Sequence, residues 1–378
     1  MRIVFVNPFG AGATYSGPAV FLNRLLEKVS QRHHTAVLFG ARNQQDTALP
    51  GAAASVPIMT FQRYSLAEQL RWALRVTGWL LRHADEYDVV HIHGVSLYNL
   101  LPVIAAILRR RRYLLVPLGA RADLSPASRS NRIPFVPALR RRLVSGAAVG
   151  LALSDDIAEE FVAFGLPRDR IVAIHNPVDT ARFAPPVPVA EDPRAVTPVL
   201  GFVGKLCSRK QPHVVLEALA LVRRQGFPDA RAVFVGPFDP EYEPFFRGRL
   251  DELGLTAAVD LIGYRSDVSD LLAHDMSVLV LPSIQEGLPG ALIEAMASGL
   301  PAIVTDVGAM GRVVREAGCG WVLPADPEAI GAAAMELWRD RQRWIDYSTA
   351  AREYARSHCD TEVVAHVYMD ALGRAGDR

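Results

Sequence analysis

The sequence predicts an α/β protein with parallel strands in two domains, and three observations carry that prediction. Short apolar runs alternate with amphipathic segments of helical length rather than with hairpin turns. Several of those runs end in glycine, the pattern of a strand that turns directly into a helix. At 378 residues, 50% of them hydrophobic, the chain is too long for one small core and suits two.

Arg2 to Asn7 reads as a buried first strand, and after Gly10-Ala11-Gly12 a helix opens at Ser16-Gly17-Pro18 and runs to about Ser30. A dinucleotide fingerprint needs a third glycine where Tyr15 stands. The second strand, Thr35 to Phe39, leads into Gly40-Ala41-Arg42-Asn43 with no acid for an adenosine ribose, which argues against NAD. Asp88 to Gly94 supplies the next strand. Its His91 and His93 are two apart and so share a face. No third ligand of suitable spacing is nearby, so a polar cleft or a hydrogen-bonded core is expected there rather than a metal. The apolar run Leu97 to Leu108 ends in Arg109, Arg110, Arg111 and Arg112, and a second basic cluster, Arg140, Arg141 and Arg142, follows Pro134 and Pro137. Each cluster reads either as a solvated helix end or as part of a basic surface for anionic lipid. Leu114 to Pro117, Val149 to Leu153 and Ile171 to Ile174 complete a first domain over 1–183. The proline-rich, aperiodic stretch 184–198 reads as a linker.

The second domain, 199–352, starts with the strand Val199 to Val203, which runs into Gly204-Lys205 and on to Arg209-Lys210-Gln211-Pro212. A glycine at a strand end with two lysines five apart reads as a phosphate clamp, because a helix start repels cations unless an anion is present. Ala232 to Val235 with Gly236-Pro237, and Leu261 to Gly263 with Tyr264-Arg265, are two further strands and turns. The central stretch follows. Apolar runs at Met276 to Leu281 and Pro301 to Thr305 bracket a helix that has Pro289 in its first turn and Gly299 and Pro301 as its stop. Glu286 lies in the loop at the carboxyl end of the first strand, where open α/β sheets bind ligands, and Glu294 lies inside the helix. The N–H groups of Gly287, Leu288, Gly290 and Ala291 at the helix start form an anion site. Two carboxylates beside an anion site suit a ligand with a phosphate between two sets of hydroxyls, which is the shape of a nucleotide sugar. Trp338, Trp344 and Tyr347, at near-helical spacing, read as core or domain contacts.

Glu286 and Glu294, set in Pro282-Ser283-x-x-Glu286-Gly287-x-Pro289 and Glu294-Ala295-Met296-Ala297-x-Gly299-x-Pro301, resemble the signature of family 4 retaining glycosyltransferases of the GT-B fold. The resemblance implies two Rossmann-like doubly wound domains facing across a deep cleft, with a final helix at about 353–378 crossing back to the first domain. It implies catalytic roles for Lys205, Lys210, Glu286 and His93. On the donor side it implies Gly12, Gly204, Arg209, Gly236, Tyr264, Arg265, Gly287, Leu288, Pro289, Gly290, Ala291 and Glu294. On the acceptor side it implies Gly10, His93, Gly119 and Arg121. The chain departs from the family pattern in three places. Lys205 stands for an arginine, Gln211 stands for a glycine, and Leu118 stands where many members carry histidine or arginine, a contact left to backbone, Arg121 or Asp123.

The implied reaction moves a sugar from a nucleoside diphosphate sugar, UDP or GDP, to a hydroxyl acceptor on a glycan, glycolipid or small molecule. It retains configuration and uses no cofactor. The absence of an Asp-x-Asp pair agrees with metal independence. A GT-B glycoside phosphorylase and a non-catalytic nucleotide-sugar-binding protein share the same parts; a glycosidase pair fits poorly, with one glutamate inside a helix. Composition excludes other classes. Lys plus Arg total 41 against 40 Asp plus Glu, so no global charge favours nucleic acid. Cys207, Cys319 and Cys359 are odd in number and far apart, which suits a reducing compartment. With no signal core at the N-terminus and no apolar run of about 18 residues, a cytoplasmic protein is expected, with peripheral membrane contact through Arg109–Arg112 and Arg140–Arg142.

Overall fold

The computed structural model describes residues 1–8, 17–41, 52–61, 65–117, 124, 133–265 and 267–376. The chain forms two compact units, Met1–Pro177 with Thr361–Arg378, and Val178–Asp360.

The first unit carries a seven-stranded, all-parallel sheet. Its strands are β1 (Arg2–Asn7), β2 (His34–Ala41), β3 (Ala54–Thr60), β4 (Val89–His93), β5 (Arg112–Val116), β6 (Val149–Ala152) and β7 (Ile171–Ala173). They lie in the order β3-β2-β1-β4-β5-β6-β7, a doubly wound arrangement in which the chain starts at the centre and reverses direction once. β1 and β4 are buried on both faces along almost their whole length, including the two histidines of β4. The sheet is flanked by α1 (Gly17–Val29), α2 (Leu66–Arg82), α3 (Leu97–Leu108), α4 (Val136–Ser145) and α5 (Asp155–Ala163). Ser65 starts α2 through a reciprocal capping box with Glu68.

The second unit has six parallel strands: β8 (Val199–Val203), β9 (Arg231–Val235), β10 (Val259–Gly263), β11 (Val278–Leu281), β12 (Ala302–Val304) and β13 (Gly320–Val322). Their order is β10-β9-β8-β11-β12-β13, so β8 and β11 are neighbours at the point where the winding reverses. The helices are α6 (Pro212–Arg224), α7 (Glu243–Glu252), α8 (Val268–His274), α9 (Gly290–Ala297), α10 (Met310–Ala317), α11 (Pro327–Arg339) and α12 (Arg341–Tyr354). Trp338 and Trp344 anchor α11 and α12 to the start of β11, donating from their indole nitrogens to the Ser277 hydroxyl at 2.9 Å and the Ser277 carbonyl at 2.8 Å. A last helix, α13 (Thr361–Gly376), belongs to the first unit, where the Tyr368 hydroxyl lies 2.9 Å from His91 Nδ1.

Two expectations about domain limits need correction. The units divide at Pro177 and Val178 rather than at 183, and the return segment starts at Thr361 rather than near 353. The Arg352 guanidinium donates to the carbonyls of Phe183 and Ala297, which keeps the end of α12 with the second unit. The stretch 184–198 is not a free tether either. Arg194, 3% exposed, forks onto Asp192 and also donates to the carbonyls of Leu272 at 2.7 Å and Ser298 at 3.0 Å. A polar, aperiodic sequence hid this because its order comes from one buried ion pair and not from an apolar stripe. β3 and β13 were also missed, both being only partly buried and β13 only three residues long.

A buried ion pair that loses one partner leaves an uncompensated charge. Asp192→Ala is therefore expected to cost about 3–5 kcal/mol of second-unit stability, read as a lower urea midpoint by tryptophan fluorescence, to which Trp321, Trp338 and Trp344 of that unit contribute. An unchanged midpoint would refute this account of 184–198.

Candidate active site

At the carboxyl ends of β8 and β11 the sequence places two cations and a carboxylate. β8 ends at Gly204, whose φ of +147° is open to glycine alone, and a Cβ there would sit 3.1 Å from Lys210 Nζ. The chain then makes a short 3-10 turn at Ser208–Lys210 before α6. Gln211, at the N-cap of α6, has φ +47° in the left-handed region. That explains the glycine of the family pattern, which takes this conformation without strain. The turn folds Lys210 inward, and its Nζ meets Glu286 Oε1 at 2.7 Å, with each side chain 11% exposed. Arg209 reaches the same oxygen at 3.1 Å and is 44% exposed.

The loop bearing Glu286 is fixed from both sides. Ile284 N–H donates to the Arg209 carbonyl at 2.9 Å, and the Arg209 guanidinium donates back to the Gln285 carbonyl. On the other flank Ala309 N–H donates to the Gly287 carbonyl at 2.8 Å. Gly308, at φ +56°, lies so close that a Cβ would collide with the carbonyl oxygens of Glu286 and Gly287. A hollow of about 410 Å³ opens on that flank, lined by Ser283, Thr305, Asp306, Arg315 and Leu323 among others, at the ends of β11, β12 and β13.

The structure thus brings together Lys210, Arg209, Glu286, Gly204 and Gly287, and also Gly236, whose φ is +142° and whose Cβ would collide with the Gly204 carbonyl. Lys205 is not in that group. Its Nζ is held by Asp239 at 2.6 Å, and this hydrogen bond holds the Asp239 carboxyl below its ordinary range. The expected clamp of two lysines is therefore, on the contacts made here, a clamp of Lys210 with Arg209. Asp239 was missed: it stands 34 residues from Lys205, and only the parallel pairing of β8 with β9 and the bridge from Leu206 to Phe238 bring it there.

Pro289 is the N-cap of α9 and not a residue of its first turn, so the helix starts at Gly290. Gly290 and Ala291 then hold the first-turn amides, which have no intrahelical partner in any α-helix. Leu288 packs inward, 6% exposed. Glu294 is half-buried on α9, and its carbonyl accepts from the Ser298 N–H and hydroxyl, each at 3.0 Å. Tyr264 is 39% exposed after β10, and Arg265 forks onto Asp267.

In the first unit, His93 ends β4, 2% exposed, with its ring centroid 5.5 Å from that of His91. The two share a face as expected. His93 Nδ1 and His91 Nε2 are buried without a hydrogen-bond partner. Burial pushes His93 down to about 4, and burial together with the neighbouring His93 pushes His91 well below the ordinary value. Gly10, Gly12, Leu118, Gly119, Arg121 and Asp123 lie outside the described residues. Among the described residues no group of three or more acidic, histidine or cysteine side chains is placed to hold a metal ion.

The basic clusters are less exposed than their sequence suggested. Arg140 is 0% exposed. Arg109 donates to the Leu81 carbonyl at 2.5 Å, and Arg111 donates to the Ala84 carbonyl at 3.0 Å and pairs with Asp85 at 3.6 Å. Of the four arginines at 109–112, Arg109 therefore serves the C-terminal end of α2, as cations near helix C-termini do, and Arg111 serves the 3-10 turn Ala84–Glu86 that follows it.

The fold defines a class: two doubly wound parallel units of the GT-B type. The structure of the Anabaena protein HepE in complex with UDP superposes with a TM-score of 0.79 at 18% identity, over 99% of this chain and 100% of that one. Sucrose-phosphate synthase of Thermosynechococcus elongatus superposes at 0.78, also at 18% identity, over 99% and 98%. The family profile described as "Glycosyl transferases group 1" matches residues 190–358, and that described as "Glycosyl transferase 4-like domain" matches residues 16–177. The phosphatidyl-myo-inositol mannosyltransferase of Mycobacterium tuberculosis is 30% identical over 311 residues, 79% of this chain and 77% of that one. The chain belongs to the glycosyltransferase family that these profiles describe. Two other relatives are matched over about half their length: the WcaL proteins assigned to colanic acid biosynthesis, 43% of the Escherichia coli protein and 51% of its Salmonella typhimurium counterpart.

Two outcomes are expected. Gly308→Ala should push the Glu286 loop off its contacts and weaken nucleotide binding at least tenfold by titration calorimetry, and unchanged affinity would separate that loop from the site. The second concerns pH. Unfolded histidine titrates near 6.5 and folded His93 at about 4, so the unfolded chain binds more protons between those values. The stability that the two histidines contribute is complete above about pH 6.5 and is lost as pH falls toward about 4. Urea midpoints should show that slope, and His91→Gln/His93→Gln should flatten it.

Proposed function

We propose that the protein is a retaining, metal-independent glycosyltransferase that moves a sugar from a UDP- or GDP-linked donor to a hydroxyl acceptor. The observation that carries this is the Glu286 carboxylate clasped by Lys210 and Arg209 at the winding reversal of the second sheet. The UDP complex of the HepE structure and the mannosyltransferase relative support a nucleotide-sugar donor of this kind.

In this reading the donor diphosphate lies at Lys210, Arg209 and the first-turn amides of α9. Glu294 takes the ribose hydroxyls and Glu286 the hydroxyls of the transferred sugar. As the sugar–phosphate bond breaks, negative charge grows on the departing β-phosphate and positive charge on the anomeric carbon. Fixed cations and amides stabilise that charge without reorganising, which lowers the barrier. Each charge-assisted hydrogen bond contributes about 1.5–3 kcal/mol, so two or three give on the order of 10³-fold or more. The freed phosphate oxygen accepts the acceptor's proton on the same face of the sugar, and this retains configuration. Lys205, bound to Asp239, acts as an outer charge to the same phosphates. His93, buried and neutral, lies on the acceptor side with Gly10, Gly119 and Arg121.

Incubation with each common nucleotide sugar in EDTA, followed by detection of free nucleoside diphosphate, tests the reading. Slow release from one donor is expected. Release only with phosphate and a glycan would indicate a phosphorylase, and binding without turnover a sensor. Lys210→Ala should lower kcat by about 10²–10³, while Glu294→Ala should mainly raise KM, by about 10–100-fold. Parent-like kinetics in both variants would remove this assignment.

A further inference from the structure

The outer surface of α2 carries three sectors that the donor site does not use. At roughly 100° per residue, with Leu66 at zero, the buried residues Trp72, Ala73, Val76 and Leu80 fall at roughly 240–340°. Leu66, Leu70 and Leu74 fall at roughly 0–80° and are 75%, 56% and 56% exposed. Arg71, Arg82 and Arg75 follow at roughly 140–180°, all exposed. One edge of the core face thus continues into a row of exposed leucines, and that row is bordered by a row of arginines. The sole acid of α2, Glu68, is engaged by the Ser65 capping box.

The surface continues past the end of the helix. The bond from Arg109 to the Leu81 carbonyl sets the end of α3 beside the end of α2. Ile107 and Leu108, 45% and 68% exposed, stand there with the exposed Arg109 and Arg110. Apolar and basic side chains again adjoin.

We propose that this face of the first unit docks on the headgroup layer of an anionic lipid bilayer, with the leucines entering the acyl boundary and the arginines meeting lipid phosphates. An apolar row bordered by long basic side chains fits that layer, because the stems lie along apolar surface while the guanidinium groups stay at the phosphates. A second copy of the chain suits the face less well. A two-fold contact through it sets the same arginine row near itself, with no acidic row to pair with it. Among the described residues no helix is long and apolar enough to cross a membrane, and the contact proposed here lies on the surface. It replaces the surface expected at Arg140–Arg142 and keeps only Arg109 and Arg110 of the other cluster.

Co-sedimentation with vesicles of phosphatidylcholine alone, and with about a third phosphatidylglycerol, tests the proposal on the full chain. The parent should bind the anionic vesicles at least tenfold more tightly, and added salt should reduce the difference. Leu70→Gln/Leu74→Gln should lower binding tenfold or more. Arg71→Gln/Arg82→Gln should cost roughly fivefold per arginine and remove the preference for anionic lipid; Arg75 is left in place because its guanidinium also donates to the Ile58 carbonyl. All four side chains are exposed, so melting temperatures should match the parent and show that folding is intact. Equal binding of the parent to both vesicle types, or parent-like binding by the leucine variant, overturns the proposal. So does a dimer in solution that the leucine variant dissociates while the parent ignores vesicles. Neither result bears on donor hydrolysis, which reads the second unit.

Discussion

A carboxylate with little access to water cannot stand alone, and that constraint organises the second unit. Glu286, 11% exposed, has lost most of its water, and Lys210 at 2.7 Å and Arg209 at 3.1 Å stand in its place. The two cations come from the turn after β8, and the carboxylate comes from the turn after β11. Those turns meet because β8 and β11 are hydrogen-bonded neighbours, although some seventy residues separate them in the chain. Two cations on one carboxylate also leave the site with a single net positive charge before any ligand arrives. A diphosphate that binds there must draw Lys210 and Arg209 partly away from Glu286, and the carboxylate then needs new donors. Sugar hydroxyls are such donors, so on the proposed reading phosphate and sugar are recognised together.

Glycines set how closely these turns approach one another. Gly204, Gly236 and Gly308 each have positive φ, and each faces a backbone or side-chain atom that a Cβ would crowd or strike. Gly236 packs on the carbonyl of Gly204, which in turn faces Lys210, while Gly308 packs on the carbonyls of Glu286 and Gly287. The cation turn and the carboxylate turn are therefore each backed by a neighbouring turn at the same sheet edge. A helix dipole adds to this on one side, since α9 starts four residues after Glu286.

Much of the fold was legible because parallel strands buried on both faces must be apolar almost throughout. β1, β8 and β11 announced themselves that way, and Glu286, Lys210 and the glycines could be read from where those strands end. What the sequence concealed is long-range or polar. Nothing local to Asp239 marks it as the partner of Lys205, and nothing in the run 184–198 marks Arg194 as buried. Arg140 looked like part of a charged surface because its neighbours Arg141 and Arg142 are exposed, yet it is wholly enclosed. The leucines of α2 show the same gap from the other side, because a helical repeat records spacing but not which sector turns outward.

The departures of this chain from its family's pattern fit together once those partners are known. An arginine at position 205 could fork onto a phosphate, and lysine there loses that geometry. Here Lys205 is occupied by Asp239, while the adjoining arginine at 209 is carried by its turn onto the Glu286 loop, where it contacts both the carboxylate and the Gln285 carbonyl. The guanidinium has in effect moved four positions along the same turn. Gln211 follows from the same rearrangement only in part. It keeps the left-handed backbone a glycine would give and so preserves the turn that aims Lys210, at the cost of conformational strain. Strain that is tolerated at the residue next to Lys210 is a reason to place the chemistry at Lys210 and Arg209, and not at Lys205.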